Sequence, residues 1–387
     1  MSEPVTADYV VVGAGLSGAA TAWHLASRGL DVTLVERDVP ASHAGSSHGS
    51  ARIFRYAYAE PFYTDAVVQA RELWDKLEAA AGAQFISATG AVDYGQDRQP
   101  RELAAILAGA GVGHSLLSAE EARNRWPEIA FDSEVLWHPG AGVIDAESAV
   151  NAMVRLAVEA GARLHTGWAL AGISRQGDGY RLTSETGETL DAGNVVVSAG
   201  GWLPQLLQRL TLPAEFIAAL PEITVRQEQA FHFRYRDQEA AAGWPTFIHK
   251  NDRIQVYGLP GGRDAGFAGQ KVAEFNGGGL IPSAADQTGV VDPANRERVV
   301  EYVRQYLPGL DPEPYAETTC LFTNTPDEEF VIDRVDGITV VSPCSGHGAK
   351  FAPLIGQWAA DLATAPAGSL SSPDSPIPLR FRPSVTS

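Results

Sequence analysis

A chain of 387 residues with 45% hydrophobic and 20% charged side chains has the balance of a globular protein large enough for two or three lobes. Its formal net charge of −18 would repel nucleic acid and anionic membrane surfaces, so neither is an expected partner. Two cysteines, Cys320 and Cys344, are too few for a disulfide framework and suit a reducing compartment. The N-terminus lacks a basic segment leading into an apolar run, and no stretch approaches about 20 apolar residues, so a soluble, cytoplasmic protein is expected.

The segment Asp8-Tyr-Val-Val-Val-Gly-Ala-Gly-Leu-Ser-Gly18 predicts a short apolar strand, a glycine turn and a helix over 16–28, then a second strand over 31–36. In that turn Gly13 permits the tight reversal, Gly15 lets backbone amides approach a pyrophosphate, and Gly18 lets helix and strand pack closely. The phosphates would sit at the helix N-terminus, where free N–H groups and the dipole favour negative charge. Glu36 ends the second strand about 20 residues after the turn, where a ribose hydroxyl needs its acceptor. The turn opens at residue 13, with no leading domain expected before it. A polar glycine-rich loop over 41–50 follows where an NAD-type fold would continue into a third βα unit. FAD suits this order better.

Beyond that loop, Ala51-Arg-Ile-Phe-Arg55 reads as a loop built to reach a ligand. Helices are expected over 63–81 and 100–110, with a strand over 86–94 between them. Ser118-Ala-Glu-Glu121 is a capping box opening a short helix that stops near Trp126-Pro127. A long helix over 146–160 precedes an alternating, antiparallel-type stretch over 163–192. Asn194-Val-Val-Val-Ser-Ala-Gly-Gly-Trp202 reads as a buried strand returning beside the first one. The aromatic and polar alternation over 213–279 predicts a mostly antiparallel sheet carrying the substrate side. Asp292-Pro293 caps a helix running to Tyr306 that buries Val299, Val300 and Val303. A strand over 338–341, a glycine loop and a final helix over 352–363 follow, and the Pro- and Ser-rich tail from Ala365 is expected to pack irregularly over the surface.

The expected fold class is therefore a discontinuous, Rossmann-like FAD-binding α/β domain with an α+β substrate domain of antiparallel or mixed sheet. The FAD-binding part comprises 1–88, 146–215 and 316–387, and the substrate part 89–145 and 216–315. Such a division puts the ligands at a domain interface, the favoured place for a cofactor-plus-substrate cavity.

Three clusters carry candidate chemistry. In His48-Gly-Ser-Ala-Arg52-Ile-Phe-Arg55, two arginines in a glycine-serine setting can recognise a carboxylate, or form a solvated basic loop. Cys320, at the head of Cys-Leu-Phe-Thr-Asn-Thr-Pro-Asp-Glu-Glu-Phe-Val-Ile-Asp333, is either a small core residue or a thiolate that tethers the flavin. The tether requires a lowered thiol pKa, for which nearby arginines would be the source. In Ser342-Pro-Cys-Ser-Gly-His-Gly-Ala-Lys350-Phe351, a glycine loop opens the last helix toward the flavin. There Lys350 would complete the flavin site or bind a substrate carboxylate, and His347 is either part of that site or a turn residue. No metal site is expected.

Taken together, VVVGAG, SSHGSARIFRYAY, RWPEI, VVVSAGGW, VYGLP with a downstream lysine, CLFTNTPDEEFVID, SGHGAKF and a closing FRP resemble the monomeric sarcosine oxidase and N-methyltryptophan oxidase family. The pieces span nearly the whole chain in that family's order. The resemblance implies a two-domain flavoprotein, acting as a monomer, that moves a hydride from the carbon beside a secondary amine nitrogen to flavin N5. Water then hydrolyses the imine, and O2 reoxidises the flavin to give H2O2. It implies Cys320 as the cysteine bonded to FAD, Lys271 as the site of O2 activation, and Arg55 with Lys350 as the carboxylate pair. Tyr257 would stand beside that carboxylate. His48 and Arg52 would lie on the flavin side, with Gly346, His347 and Gly348 in the cofactor loop. The chain departs from sarcosine oxidases at Leu321-Phe322, in a longer loop between Tyr257 and Lys271, and at Phe275, where they have a histidine. With Phe322 and Phe275 in the pocket, the changes point to a larger, more apolar substrate than sarcosine. The alternatives are an Amadori-type sugar amine oxidase, a dehydrogenase using a quinone or carrier protein, and a non-catalytic flavin-binding module. The last would leave a costly cluster of buried cations.

Overall fold

The structure is a computed structural model that describes residues 5–239, 243–366 and 377–386. Three sheets organise it. At the centre of the first, Val5–Val12 runs parallel to Val32–Val35 on one side and to Thr189–Val197 on the other. The expected return of the Asn194 strand is found, with Val10 opposite Val195. Thr189–Val197 is long enough for two jobs: its first half pairs antiparallel with Gly179–Ser184, its second half parallel with Ile338–Ser342. Val10, Val11, Val195 and Val196 are fully buried, as parallel strands covered on both faces require. The helices Leu16–Ala26, Ala146–Glu159 and Ala352–Thr364 supply one cover. A Cβ at Gly356 would overlap Ala20, so two of these helices meet at near-backbone distance.

The second sheet has nine strands. Thr224–Tyr235 pairs with three neighbours, Leu310–Asn324 on one edge and Gly269–Glu274 and Gly279–Ile281 on the other. Gln255–Pro260 and Thr246–Lys250 continue it antiparallel, and Ala91–Tyr94 then joins in parallel, so the sheet is mixed. Asp292 caps the helix Pro293–Tyr306 as expected. Its Val299, Val300 and Val303 pack with Phe231, Phe233, Val256 and Val272 on the outer face of the sheet.

Several expectations need correction. The Arg52–Phe54 segment is a short strand in a third, three-stranded sheet, paired with Gly142–Ile144, because the Arg-Ile-Phe alternation buries Phe54. The single strand expected over 86–94 is two: Ile86–Ser87 in the third sheet and Ala91–Tyr94 in the second. The chain changes sheet at Gly90, where φ is +71° and a Cβ would overlap the Trp137 ring. Arg163–His165 is not antiparallel but runs parallel to Val32–Val35, because a helix precedes it as a crossover. Residue 316, expected to open the last FAD-binding segment, falls inside the continuous strand Leu310–Asn324. The stretch 367–376 of the expected surface tail, and residues 1–4, lie outside the described residues. Beyond it the tail turns inward: Phe381 is fully buried, and Arg382 meets Asp333 at 3.2 Å inside the protein. The capping box is present, with Ser118 and Glu121 exchanging hydrogen bonds.

Candidate active site

The glycine turn is held by contacts that admit no side chains. Gly13 has φ +96°, and a Cβ there would overlap the Ser198 carbonyl. One at Gly18 would overlap the carbonyl of Gly13 itself. Glu36 closes the turn: its Oε2 accepts from Ala14 N at 2.6 Å and its Oε1 from Asp38 N at 3.0 Å. The loop after the second strand folds over the helix N-terminus, where Leu16 N donates to Ser47 Oγ at 3.0 Å. A Cβ at Gly15 would stand 2.9 Å from that oxygen.

From this turn a cleft of about 1470 Å³, counting its open mouth, extends to the edge of the second sheet. Gly13, Gly15, Glu36 and Ser47 line one end; Arg52, Cys320, Phe322, Gly346 and Gly348 line the other. These residues fit FAD. The turn leaves no room for a Cβ, a carboxylate stands at the strand end for ribose, and backbone N–H groups face the phosphate position.

The far wall follows from strand register. Directly paired residues point to the same face of a sheet. Cys320 pairs with Glu228, His232 with Lys271, Lys271 with Leu259, and Tyr257 with Ala273. One face therefore presents Tyr257, Lys271, Cys320 and Phe322 together. Phe275 joins them, its ring 5.8 Å from that of Phe322, and Gly346 packs against both. Buried Lys271 reaches Ala51 O at 3.4 Å, and burial, then the nearby Arg52, push its pKa down to about 8. Arg52 donates to Ser46 O at 2.9 Å. His48 is buried behind this segment with Nε2 unpartnered, 4.9 Å ring to ring from His43, and burial holds its pKa to about 3. Tyr257 is raised by burial, with Cys320, Glu228 and Arg52 as its charged neighbours. The lowered thiol pKa expected for Cys320 is not found. Burial raises it, and Lys271 and Arg52 oppose that shift only in part.

A second cluster forms where the Gly346–Lys350 loop passes the Arg55 segment. Lys350 is buried; its Nζ donates to Tyr58 OH at 2.9 Å and to His347 O at 2.7 Å. The Arg55 guanidinium stacks 4.3 Å over the Tyr58 ring and also donates to Ala57 O. Burial and Arg55 hold the Lys350 pKa well below its ordinary value. His347 links Tyr58 OH (3.1 Å) to Glu328 O (3.0 Å), and burial keeps it neutral, its pKa down to about 3. Behind them Arg98 pairs with buried Asp93, which also holds His138 at 2.9 Å.

The structure thus puts Arg52, Cys320 and Phe322 in the cleft lining, Tyr257 and Lys271 on the same sheet face as Cys320 with Phe275 against Phe322, and Arg55, Lys350 and His347 in a neighbouring cluster. Sequence reasoning passed over Tyr58, Ser47 and Ser198. Tyr58 stood inside the quoted SARIFRYAY piece, and its aromatic ring between two cations was the available signal.

A dinucleotide turn, a flavin-sized cleft and a second sheet presenting a lysine and a cysteine to it define an FAD-dependent oxidoreductase. The family model described as FAD dependent oxidoreductase matches residues 8–362, and the chain belongs to that family. It is similar to monomeric sarcosine oxidase of Streptomyces avermitilis, with 32% identity covering 92% of this chain and 94% of the relative. N-methyl-L-tryptophan oxidase of Yersinia pestis is 30% identical over 92% of this chain and 94% of its own. Among solved structures, NikD, an unusual amino acid oxidase essential for nikkomycin biosynthesis, superposes with a TM-score of 0.83 at 25% identity, covering 98% of both chains.

Proposed function

We propose that this chain oxidises a secondary amino acid, with an N-alkyl or ring nitrogen and a carboxylate, at the carbon beside nitrogen, with O2 as the electron acceptor. The observation that carries this reading is the buried Lys350 with half-buried Arg55 beside it. Lys350 is bonded to neutral oxygens, and the charge acting on it is another cation. Such an arrangement is costly until an anion enters. A carboxylate satisfies it with charge-assisted hydrogen bonds.

FAD, held by the Gly13–Gly18 turn, Glu36 and the Gly346–Gly348 loop, would supply a hydride acceptor that O2 can reoxidise. The chain's own residues do the rest. Tyr58 OH orients Lys350 toward the carboxylate, and Arg55 closes over it. Phe275 and Phe322 form an apolar wall for a side chain larger than a methyl group. Lys271 contributes a fixed positive charge in a water-poor site, where it stabilises anions formed from O2. Cys320 would be the residue that holds the flavin covalently, and because burial raises its thiol, its ionisation would depend on Lys271 and Arg52. The test is a panel of secondary amines, with and without a carboxylate, assayed for H2O2 release. Turnover confined to amines lacking a carboxylate, or to a non-O2 acceptor, would overturn the reading.

A further inference from the structure

Lys271 stands among polar groups that take no part in that reading. Its Nζ rests on Ala51 O at 3.4 Å. His232 faces it from the neighbouring strand, and Ala51 packs with Leu259 and Tyr257 on the same sheet face. His48 Nε2 and His232 Nδ1 are buried there without hydrogen-bond partners. Both histidines have Lys271 and Asp264 among their charged neighbours. Burial holds them neutral, with pKa values down to about 3 and about 4, so neither supplies charge at neutral pH.

Asp264 comes from the longer loop between Tyr257 and Lys271, which crosses this site in close contact. A Cβ at Gly261 would stand 2.8 Å from His232 Nδ1, and one at Gly262 would overlap Ser50 Oγ. Asp264 is itself exposed, with one oxygen turned inward. That Oδ2 accepts from Ser50 N at 2.8 Å, and Gly49, at φ +78°, has no room for a Cβ beside it. The adjacent Arg263 pairs with Asp145 and lies 3.5 Å from Glu147, whose Oε2 accepts from Gly49 N at 3.2 Å. The loop therefore straps the backbone one residue before the carbonyl that Lys271 touches to the N-terminus of the helix Ala146–Glu159. Against partial burial, the Ser50 N–H, Lys271 and Arg263 hold the Asp264 carboxyl below its ordinary value, so it is ionised at neutral pH. Around Lys271, burial and Arg52 oppose the charged form, and Cys320 and Asp264 favour it. Cys320 is a thiol raised by burial, and a thioether would be neutral as well. Of the two, Asp264 is the one that carries charge.

We propose that Asp264 is a positioning residue for Lys271: it pins the Ser50–Ala51 backbone on which the ammonium rests, and it is the counter-charge for that ammonium during the reaction with O2. This rests on the role given to Lys271 above. A carboxylate on an exposed loop can act in this way because attraction to a buried charge is less screened than attraction between two exposed ones.

The test mixes dithionite-reduced holoenzyme with O2 in stopped flow across the range in which a lysine near pH 8 titrates, in wild type, Asp264→Asn, Asp264→Ala and Lys271→Met. Asn keeps an oxygen for Ser50 N and loses the charge, whereas Ala loses both. Removing a negative charge beside a lysine lowers its pKa. The fall in O2 reactivity, expected near pH 8 in wild type, should therefore begin about 0.5–1 pH unit lower in Asp264→Asn at low salt. The low-pH rate should stay that of wild type. At about 1 M salt the two profiles should merge, because Asp264 is open to screening. Asp264→Ala should show the same shift and also a severalfold lower rate at low pH, as the lysine loses its fixed place. The other titratable groups facing Lys271, namely Arg52, His48, His232, Glu228, Tyr257 and Cys320, are the same in all but the variant position. An unchanged oxidised flavin spectrum shows that the variants are folded and loaded. A profile for Asp264→Asn that coincides with wild type at low salt overturns the proposal, and so does a wild-type rate at low pH in Asp264→Ala. A wild-type profile without a step, or Lys271→Met reacting with O2 as fast as wild type, would instead sink the role of Lys271 on which the proposal rests.

Discussion

Replacing Lys350 by Met keeps most of the side chain's length and removes its charge. Two opposite effects follow from the structure. Losing one partner of a desolvated charged pair costs about 2–5 kcal/mol of ligand binding, which is about 30- to 5,000-fold in Kd. Stability should move the other way. Burial and Arg55 hold the Lys350 pKa well below 10.5 in the folded, ligand-free protein, so folding disfavours the charged form. A lysine depressed in this way destabilises the fold fully below its folded pKa, and the penalty disappears above its unfolded value. The Met variant should therefore melt no lower than wild type at neutral pH, and any gain should fade as pH approaches 10.5. Carboxylate binding favours the ammonium, so wild type should take up protons on binding benzoate at pH values above the lowered ligand-free pKa of Lys350 and below its ligand-bound one, and lose affinity as pH rises through that window. Calorimetry in buffers of different ionisation enthalpy measures the uptake, and thermal melts of wild type and variant measure the stability. A Met variant that binds benzoate within about threefold of wild type, or that loses affinity and melting temperature together, would refute the reasoning and leave Lys350 a structural residue.

Cys320→Ser should leave all FAD in the supernatant after acid precipitation, whereas wild-type protein should precipitate yellow; colourless wild-type precipitate excludes the tether. Lys271→Met should slow the reaction of reduced enzyme with O2 by about 10²–10³, as for loss of one preorganised electrostatic group, and change anaerobic reduction by substrate far less in stopped flow. Because the Lys271 pKa is pushed down to about 8, the wild-type O2 reaction should slow as pH rises through that value, and the variant should show no such step. Gly18→Ala puts a methyl group into the Gly13 carbonyl, so the variant should purify with little or no FAD; full occupancy would mean that the turn can open without cost.

The dinucleotide end was legible because each requirement there falls on a few adjacent residues. Gly13, Gly18 and Glu36 stand where the turn, the close approach and the acceptor need them, and the structure places Glu36 on the turn's own backbone. The strand and helix around them are long apolar runs that local pattern reads well. The misreadings came where tertiary pairing decides. Arg52–Phe54 has three residues and becomes a strand only through Gly142–Ile144, nearly a hundred residues away. Gly90 looks like an interruption within a strand until Trp137 packs against it. Phe381 and Arg382 follow a Pro- and Ser-rich stretch, and composition could not show that they turn back into the core.

The cysteine shows why residue type alone misleads about reactivity. Nearby arginines were expected to depress the thiol pKa, but a nearby cation and a dry site act in opposite directions, and at Cys320 burial wins. The same burial that raises Cys320 lowers Lys271 and Lys350 and raises Glu228, so both cations and both acids are biased toward their neutral forms in the ligand-free protein. A substrate carboxylate would reverse that bias at Lys350, restoring the charge that burial and Arg55 remove, and a substrate without one would leave a buried lysine neutral and idle. Selectivity for amino acids over simple amines would then come from ionisation at Lys350, while Phe275 and Phe322 would sort among amino acids by the size of the apolar part.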